Sequence, residues 1–127
     1  MKKIILGFGA ISLIAVGAYF FFGSGGATVS GPTNLQIRYA ENATPSDPTL
    51  AEIYDRSCRA CHTDQDSKAP LTGHSEAWQT RMNARGMAGL INSAKNGLET
   101  MPAMGLCNDC GDDDFKRLIE FMAKEAS

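Results

Sequence analysis

Five consecutive residues, Cys58-Arg59-Ala60-Cys61-His62, constrain the fold of this 127-residue chain more than any other feature. Two thiols separated by two residues and followed at once by a histidine form the attachment pattern of a c-type haem. This spacing lets the thiols meet two vinyl groups on neighbouring pyrrole rings, and the imidazole then projects under the iron. The motif therefore predicts one haem c bound covalently through Cys58 and Cys61, with His62 as an iron ligand.

The N-terminal segment carries Lys2 and Lys3 ahead of an uncharged apolar run over residues 4–22. Such a run is a secretory signal or a membrane anchor, and either one exports the residues that follow. Its length is about that of a bilayer span, and it ends in three phenylalanines where a cleavage site prefers small residues. We expect residues 1–23 to anchor the protein on the periplasmic side of the inner membrane. Cleavage near the small residues 25–27 would instead leave a soluble periplasmic protein.

Residues 24–46 are predicted to be a flexible tether, because glycine and proline punctuate a mostly polar stretch. A short alternation of apolar and polar residues over 35–39 is compatible with a strand, but it has no second strand to pair with.

The remaining residues, 47–127, are predicted to form an all-α domain of four short helices. Asp47-Pro48 is a favourable helix start that leads directly into Cys58. A second helical stretch begins at Ser75, is interrupted at Gly86 and stops at Gly97, and three aspartates at 112–114 open the last helix. The long irregular segments between these helices would wrap around the haem, which supplies the apolar core that so small a domain lacks.

A second Cys-x-x-Cys pair, Cys107 and Cys110, is followed by Gly111 where a second haem would need histidine. A disulfide within this pair is the better interpretation, and a redox-active dithiol is a weaker one. All four cysteines could also bind zinc, although 45 residues separate the two pairs.

The sixth iron position decides the function, because an occupied position favours electron transfer and an open one favours ligand binding or catalysis. Of the two histidines, His74 is expected to be an exposed residue in a loop or at a helix start. Met101 and Met104 lie in the irregular segment 99–105, and Met101 precedes the stiff Pro102. The other internal methionines fall on helical apolar stripes and are expected in the core: Met82, Met87 and Met122.

These motifs resemble those of class I c-type cytochromes, and in particular the cytochrome c5 subgroup, over roughly residues 50–122. The segment 96–102 matches the ligand loop of that family, which implies Met101 as the second axial ligand. Cys107 and Cys110 match the extra disulfide of the subgroup. Ala103 departs from a proline that many members have, and Met104 occupies a position where a basic residue is common, which makes it a rival ligand.

The resemblance also implies roles around the haem. Pro70 would accept a hydrogen bond from the ring N–H of His62, Trp78 and Arg81 would donate to the haem propionates, and Tyr54 would pack against the last helix. The implied fold is that of class I cytochrome c.

The implied function is that of a monohaem one-electron carrier in a bacterial-type respiratory chain, and not that of an enzyme. Its partners would be redox proteins, such as a membrane respiratory complex or a terminal reductase or oxidase, with membrane contact through the N-terminal segment. The net charge is −2, and an acidic chain without clustered Lys and Arg is a poor nucleic-acid binder. Two alternatives stay open: a haem sensor or peroxidase with an open distal site, and a zinc module using the four cysteines.

Overall fold

The structure of the protein is a computed structural model that describes residues 28–127. The predicted signal or anchor segment, residues 1–23, and the start of the predicted tether lie outside the described residues. The described part is helical, with one isolated bridge between Leu98 and Met101, and none of its helices has the length and apolar character needed to cross a membrane. The α-helices are α1 Asn34–Asn42, α2 Pro48–Ile53, α3 Arg59–His62, α4 Ser75–Asn96 and α5 Asp112–Met122. The predicted all-α class is confirmed.

The segment that carries the Cys-x-x-Cys-His motif is one continuous helical run. The side chain of Asp47 accepts the N–H of Leu50 at 2.9 Å, and Pro48 takes the first position of α2. A π-helical turn over Tyr54–Cys58 then joins α2 to α3. Such turns inside a helix are often found at functional sites, and this one leads directly into the first cysteine of the motif.

Glycines shape α4 as the sequence predicts. The helix begins at Ser75, and its axis breaks at Gly86, where φ is 65° and ψ is 173°. The chain leaves the helix at Gly97 with a φ of 82°, a conformation that costs a residue without a β-carbon little. Both halves of α4 bury side chains, Ala77 and Trp78 before the break and Leu90 and Ala94 after it.

The last helix, α5, also begins where it was predicted. The carboxylate of Asp114 accepts the backbone N–H of Gly111 at 2.9 Å, and three aspartates occupy the first turn. Negative side chains are favourable at this positive end of the helix dipole. One face of α5 is buried in the core: Phe115, Leu118, Ile119 and Met122.

Helix α1 contradicts the prediction of a flexible tether over 24–46, and the alternation over 35–39 belongs to this helix. Thr33 and Gln36 form a reciprocal capping box that starts the helix, and Ala40 is fully buried. The Thr-x-x-Gln spacing at Thr33 and Gln36 is a local helix-start pattern. The burial could not be seen locally, because the surface that α1 covers is built by residues far along the chain. Helix α1 therefore adds a fifth helix to the four expected ones, and the folded unit begins before residue 47.

Two hydrophobic clusters hold the helices together. The larger one joins α2, α4 and α5, and within it the ring of Tyr54 meets that of Phe121 edge-to-face at 5.0 Å. The implied packing of Tyr54 against the last helix is thus confirmed. The smaller cluster contains Ala94, Phe115 and the second cysteine pair. Residues of both clusters line the cleft described next.

Candidate functional site

A cleft of about 820 Å³, measured to include its open mouth, lies between the motif segment, α4, α5 and the loop after α4. Its walls are mainly apolar. All of the residues predicted to bind the cofactor line it: Cys58, Cys61, His62, Pro70, Trp78, Arg81 and Met101. Residues from four separate parts of the sequence are thereby brought to one site.

The two thiols of the motif are both unbonded, with Cys58 partly buried and Cys61 exposed. Burial raises the pKa of the Cys58 thiol to about 11, so this thiol remains protonated at neutral pH. Both thiols line the cleft, where attachment of a haem through the motif requires them.

The imidazole of His62 is buried and fixed in orientation. Its Nδ1 lies 2.8 Å from the carbonyl oxygen of Pro70, which confirms the implied partner. A carbonyl can only accept, so Nδ1 carries the proton and Nε2 of the neutral ring keeps its lone pair. Burial lowers the pKa of His62, and the ring stacks on Trp78 at a centroid distance of 5.4 Å. The ring is thus prepared to bind a metal through Nε2.

Trp78 lines the cleft, and its Nε1–H donates to the carbonyl oxygen of Leu71 at 2.9 Å in the buried interior. Indole has one donor, and the contact of Trp78 with a propionate stays a prediction. Trp78 contributes to the site as a wall of the cleft and as the stacking partner of His62.

Arg81 lies at the cleft on the same helix as Trp78. Its Nη1 donates to the carbonyl oxygen of Ala77 at 3.0 Å, and its charge adds to the effect of burial in lowering the pKa of His62. No carboxylate among residues 28–127 forms an ion pair with it. Arg81 therefore places a positive charge where a carboxylate of a bound group would find a partner.

A tight turn presents Met101 to the cleft. The backbones of Leu98 and Met101 exchange two hydrogen bonds, at 3.0 Å and 2.9 Å. A β-carbon on Gly97 would meet the carbonyl oxygen of Met101 at 2.9 Å, so the close approach needs glycine. The hydroxyl of Thr100 donates to the carbonyl oxygen of Ser67 at 3.2 Å, which ties this turn to the loop after His62.

The other methionines are placed differently. Met104 packs against the smaller cluster and does not line the cleft. Met82 and Met87 pack against the larger cluster, and Met122, although it borders the cleft, is 4% exposed and belongs to the core of α5. Met101 is thus the methionine that a loop, rather than helix packing, directs to the site.

The donor set fits a haem. One apolar cleft contains two free thiols, an imidazole with an available nitrogen and a thioether. The hydroxyl of Ser57 also lines this cleft and is buried without a hydrogen-bond partner in the described part of the chain. Buried polar atoms rarely stay unsatisfied, and sequence reasoning had no signal that would single out Ser57.

The second cysteine pair forms a disulfide, with 5.4 Å between the Cα atoms of Cys107 and Cys110. A zinc site with all four cysteines is therefore wrong, since two of the four are bonded to each other. Arg56 donates from Nη2 to both carboxylate oxygens of Asp109, at 2.9 Å and 2.8 Å. It thereby joins the disulfide loop to the motif segment, a link that the sequence did not reveal.

His74 contradicts its predicted exposure. It is 6% exposed, and its carbonyl oxygen accepts the N–H groups of Ala77 and Trp78 at the start of α4. The preceding residue, Gly73, donates to the carbonyl oxygen of Met122 at 2.8 Å, so the end of α5 covers this turn. His74 does not line the cleft.

The part of the chain that forms the cleft is similar in sequence to known proteins. Residues 45–122 match the model of a family described as cytochrome c oxidase, cbb3-type, subunit III. A cytochrome c5 of Azotobacter vinelandii is 40% identical over 73 residues, which are 57% of this chain and 88% of that protein. A cytochrome c5 of Ectopseudomonas mendocina is 34% identical over 73 residues, 57% of this chain and 84% of that protein. The family match includes α2 to α5 and begins after α1.

Proposed function

The chain belongs to the class I c-type cytochromes and resembles cytochrome c5, and from this premise we propose that His62 and Met101 ligate the iron of a respiratory electron carrier. Membership of the family gives the chain one covalently bound haem c, the role of a monohaem electron carrier and redox proteins as partners. Beyond family membership, we propose the two axial ligands of the iron, a role in a respiratory chain and a location on the periplasmic side of the inner membrane.

One observation carries the ligand assignment. Met101 lines the same cleft as Cys58, Cys61 and His62, whereas its rival Met104 does not line it, although both pack against the smaller cluster. A thioether is a soft, weak ligand, and ligation by histidine and methionine raises the reduction potential of a c-type haem. An iron with both axial positions filled changes little between its oxidation states, which suits electron transfer.

The haem supplies the redox couple, and the chain controls its surroundings. Pro70 and Trp78 fix the tautomer and the plane of the His62 ring. The walls of the cleft are mainly apolar, so few polar groups of the chain would have to reorient when the charge of the site changes. Arg81 offers a cation to the carboxylates of the bound group. None of these residues is placed to break or form a bond, and we propose that the protein is not an enzyme.

The pathway is proposed from the chain as a whole. The export pattern of Lys2, Lys3 and residues 4–22 supports a location on the periplasmic side of the inner membrane. There the partner would be a membrane respiratory complex or a terminal reductase or oxidase. Mass measurement of the mature N-terminus tests the anchor: a start after residue 23 would refute it.

The ligand assignment is tested with Met101→Ala and the matched variant Met104→Ala. Both changes shorten a methionine of the same loop, but Met101 lines the cleft and Met104 does not. In the ferric protein, we expect the methionine–iron charge-transfer band to disappear with Met101→Ala and to remain with Met104→Ala. Survival of the band in Met101→Ala would refute the assignment, as would its loss in Met104→Ala alone.

A further inference from the structure

Helix α1 lies outside the residues that the family model matches, yet it is packed onto the haem domain. The match begins at residue 45, whereas α1 spans Asn34–Asn42. Ala40 is fully buried. Helix α1 is therefore part of the folded unit, and what it contacts indicates what it does.

The first contact of α1 is with the motif segment itself. Arg59, between the two haem cysteines, donates to the carbonyl oxygens of Glu41 at 3.2 Å and Ala43 at 2.9 Å. It also donates to the hydroxyl of Thr44 at 3.0 Å, and its Nε pairs with Asp55 at 2.7 Å. Carbonyl groups at the end of a helix carry partial negative charge, so the guanidinium holds the end of α1 against the motif.

The second contact is with the turn over residues 70–74. The ring of Tyr39 lies directly on Gly73: a β-carbon there would meet ring carbon Cε1 at 2.9 Å. Behind it, Gly73 donates to the carbonyl oxygen of Met122 and accepts the N–H of Ala126, at 2.8 Å and 3.1 Å. The turn is thus enclosed between α1 and the C-terminal residues.

These two contacts meet at His62. The motif segment carries the imidazole, and the turn supplies its acceptor, the carbonyl oxygen of Pro70. Two further hydrogen bonds join the segments: the N–H of Thr72 donates to the carbonyl oxygen of His62 at 2.8 Å, and the hydroxyls of Tyr54 and Thr72 are 2.9 Å apart. Helix α1 therefore contacts both halves of the structure that orients the histidine.

We propose that α1 is a positioning element for His62, acting through Tyr39 and Arg59 to keep the hydrogen bond between His62 and Pro70 closed. The inference rests on the proposed function only in taking His62 as an iron ligand, and it does not depend on Met101. A ring N–H that is hydrogen-bonded to a carbonyl makes the imidazole a more basic ligand. Loosening the turn weakens that bond, which favours the ferrous state and raises the reduction potential.

The test uses the full-length protein with its haem and the variant Tyr39→Ala. Tyr39→Phe is the matched control, because ring carbons make the contact with Gly73. The readout is the exchange of the His62 Nδ1 proton with deuterated solvent, followed by proton NMR in the reduced protein. Losing a contact of ordinary strength should speed this exchange about five- to thirtyfold. Tyr39→Phe should exchange like the unchanged protein, and the potential should rise in Tyr39→Ala alone.

The backbone N–H of Leu118, in the core of α5, separates positioning from general destabilisation. We expect its exchange to change much less than that of His62 Nδ1. An equal acceleration at both protons, or equal exchange in the alanine and phenylalanine variants, would overturn the proposal. Arg59→Met removes the other contact and should act in the same direction, so the test survives if one variant folds poorly. Failure of the Met101 assignment would leave this proton comparison intact.

Discussion

Gly105 lies where the methyl group of Met101 packs. A β-carbon built on Gly105 would stand 3.0 Å from the Met101 Cε atom, and the residue has a φ of 54°. Its neighbours Met104 and Leu106 also have positive φ, at 61° and 66°, although their side chains disfavour that conformation. The backbone is therefore strained next to the proposed ligand, and strained backbone is common at functional sites.

Gly105→Ala is expected to disturb the proposed ligand directly. The added methyl group presses on Met101, and the left-handed backbone costs a residue with a β-carbon about 1–2 kcal/mol. We expect a lower thermal midpoint and a weaker methionine–iron charge-transfer band in the ferric spectrum. Gly31→Ala is the control, since nothing lies within 4 Å of a β-carbon there. Equal bands in both variants would contradict a role for Gly105 in placing Met101.

At the scale of single elements, the helix boundaries were predicted because their signals are local. The caps at Asp47 and Gly97 and the break at Gly86 depend on residues within one turn of the chain, and the structure confirms them. The two wrong predictions at this scale, a flexible tether over 24–46 and an exposed His74, both concern burial. The burial of α1 and of His74 depends on contacts with residues distant in sequence, and no local pattern encodes such contacts.

The start of α2 should make stability depend on pH. Asp47 accepts the N–H of Leu50 and pairs with Arg117 at 2.8 Å. These contacts, the Leu50 bond first, lower the pKa of Asp47 from its ordinary value of 3.8. Because the folded pKa lies below the unfolded one, the stabilisation is present above the unfolded pKa and is lost as the pH falls through the folded pKa.

Asp47→Asn tests this dependence, since asparagine can still cap a helix but carries no charge. We expect the variant to unfold at a lower urea concentration than the parent at neutral pH. The two midpoints should converge as the solution is acidified from neutral pH through 3.8 and then through the lowered pKa of Asp47 in the folded chain. A difference that stays constant over this acidification would show that the charge of Asp47 does not stabilise the folded chain.

At the scale of the whole molecule, the site was easier to predict than the packing that supports it. The Cys-x-x-Cys-His motif and the methionine loop each indicate their chemistry through a few neighbouring residues. The structure brings Cys58, Cys61, His62 and Met101 to one cleft. The partner of the Trp78 indole could not be foreseen, because the carbonyl group of Leu71 is placed by a folded turn. Likewise, Arg56 and Asp109 are 53 residues apart, and only the fold makes them neighbours.

The same architecture supports the proposed electron carrier over a sensor or peroxidase. His62 and Met101 belong to segments held together by the hydrogen bond between Thr100 and Ser67, and the disulfide loop is joined to the motif segment through Arg56. A loop tied at several points should not release its ligand readily. We therefore propose that both axial positions of the iron are filled in the folded protein.

Rapid mixing of the reduced protein with carbon monoxide measures this most directly, because the gas binds only where an axial position is open. The visible spectrum of the unchanged protein should stay as it was on the time scale of mixing, whereas Met101→Ala should bind the gas at once. Immediate binding by the unchanged protein would contradict the assignment and indicate an open distal site.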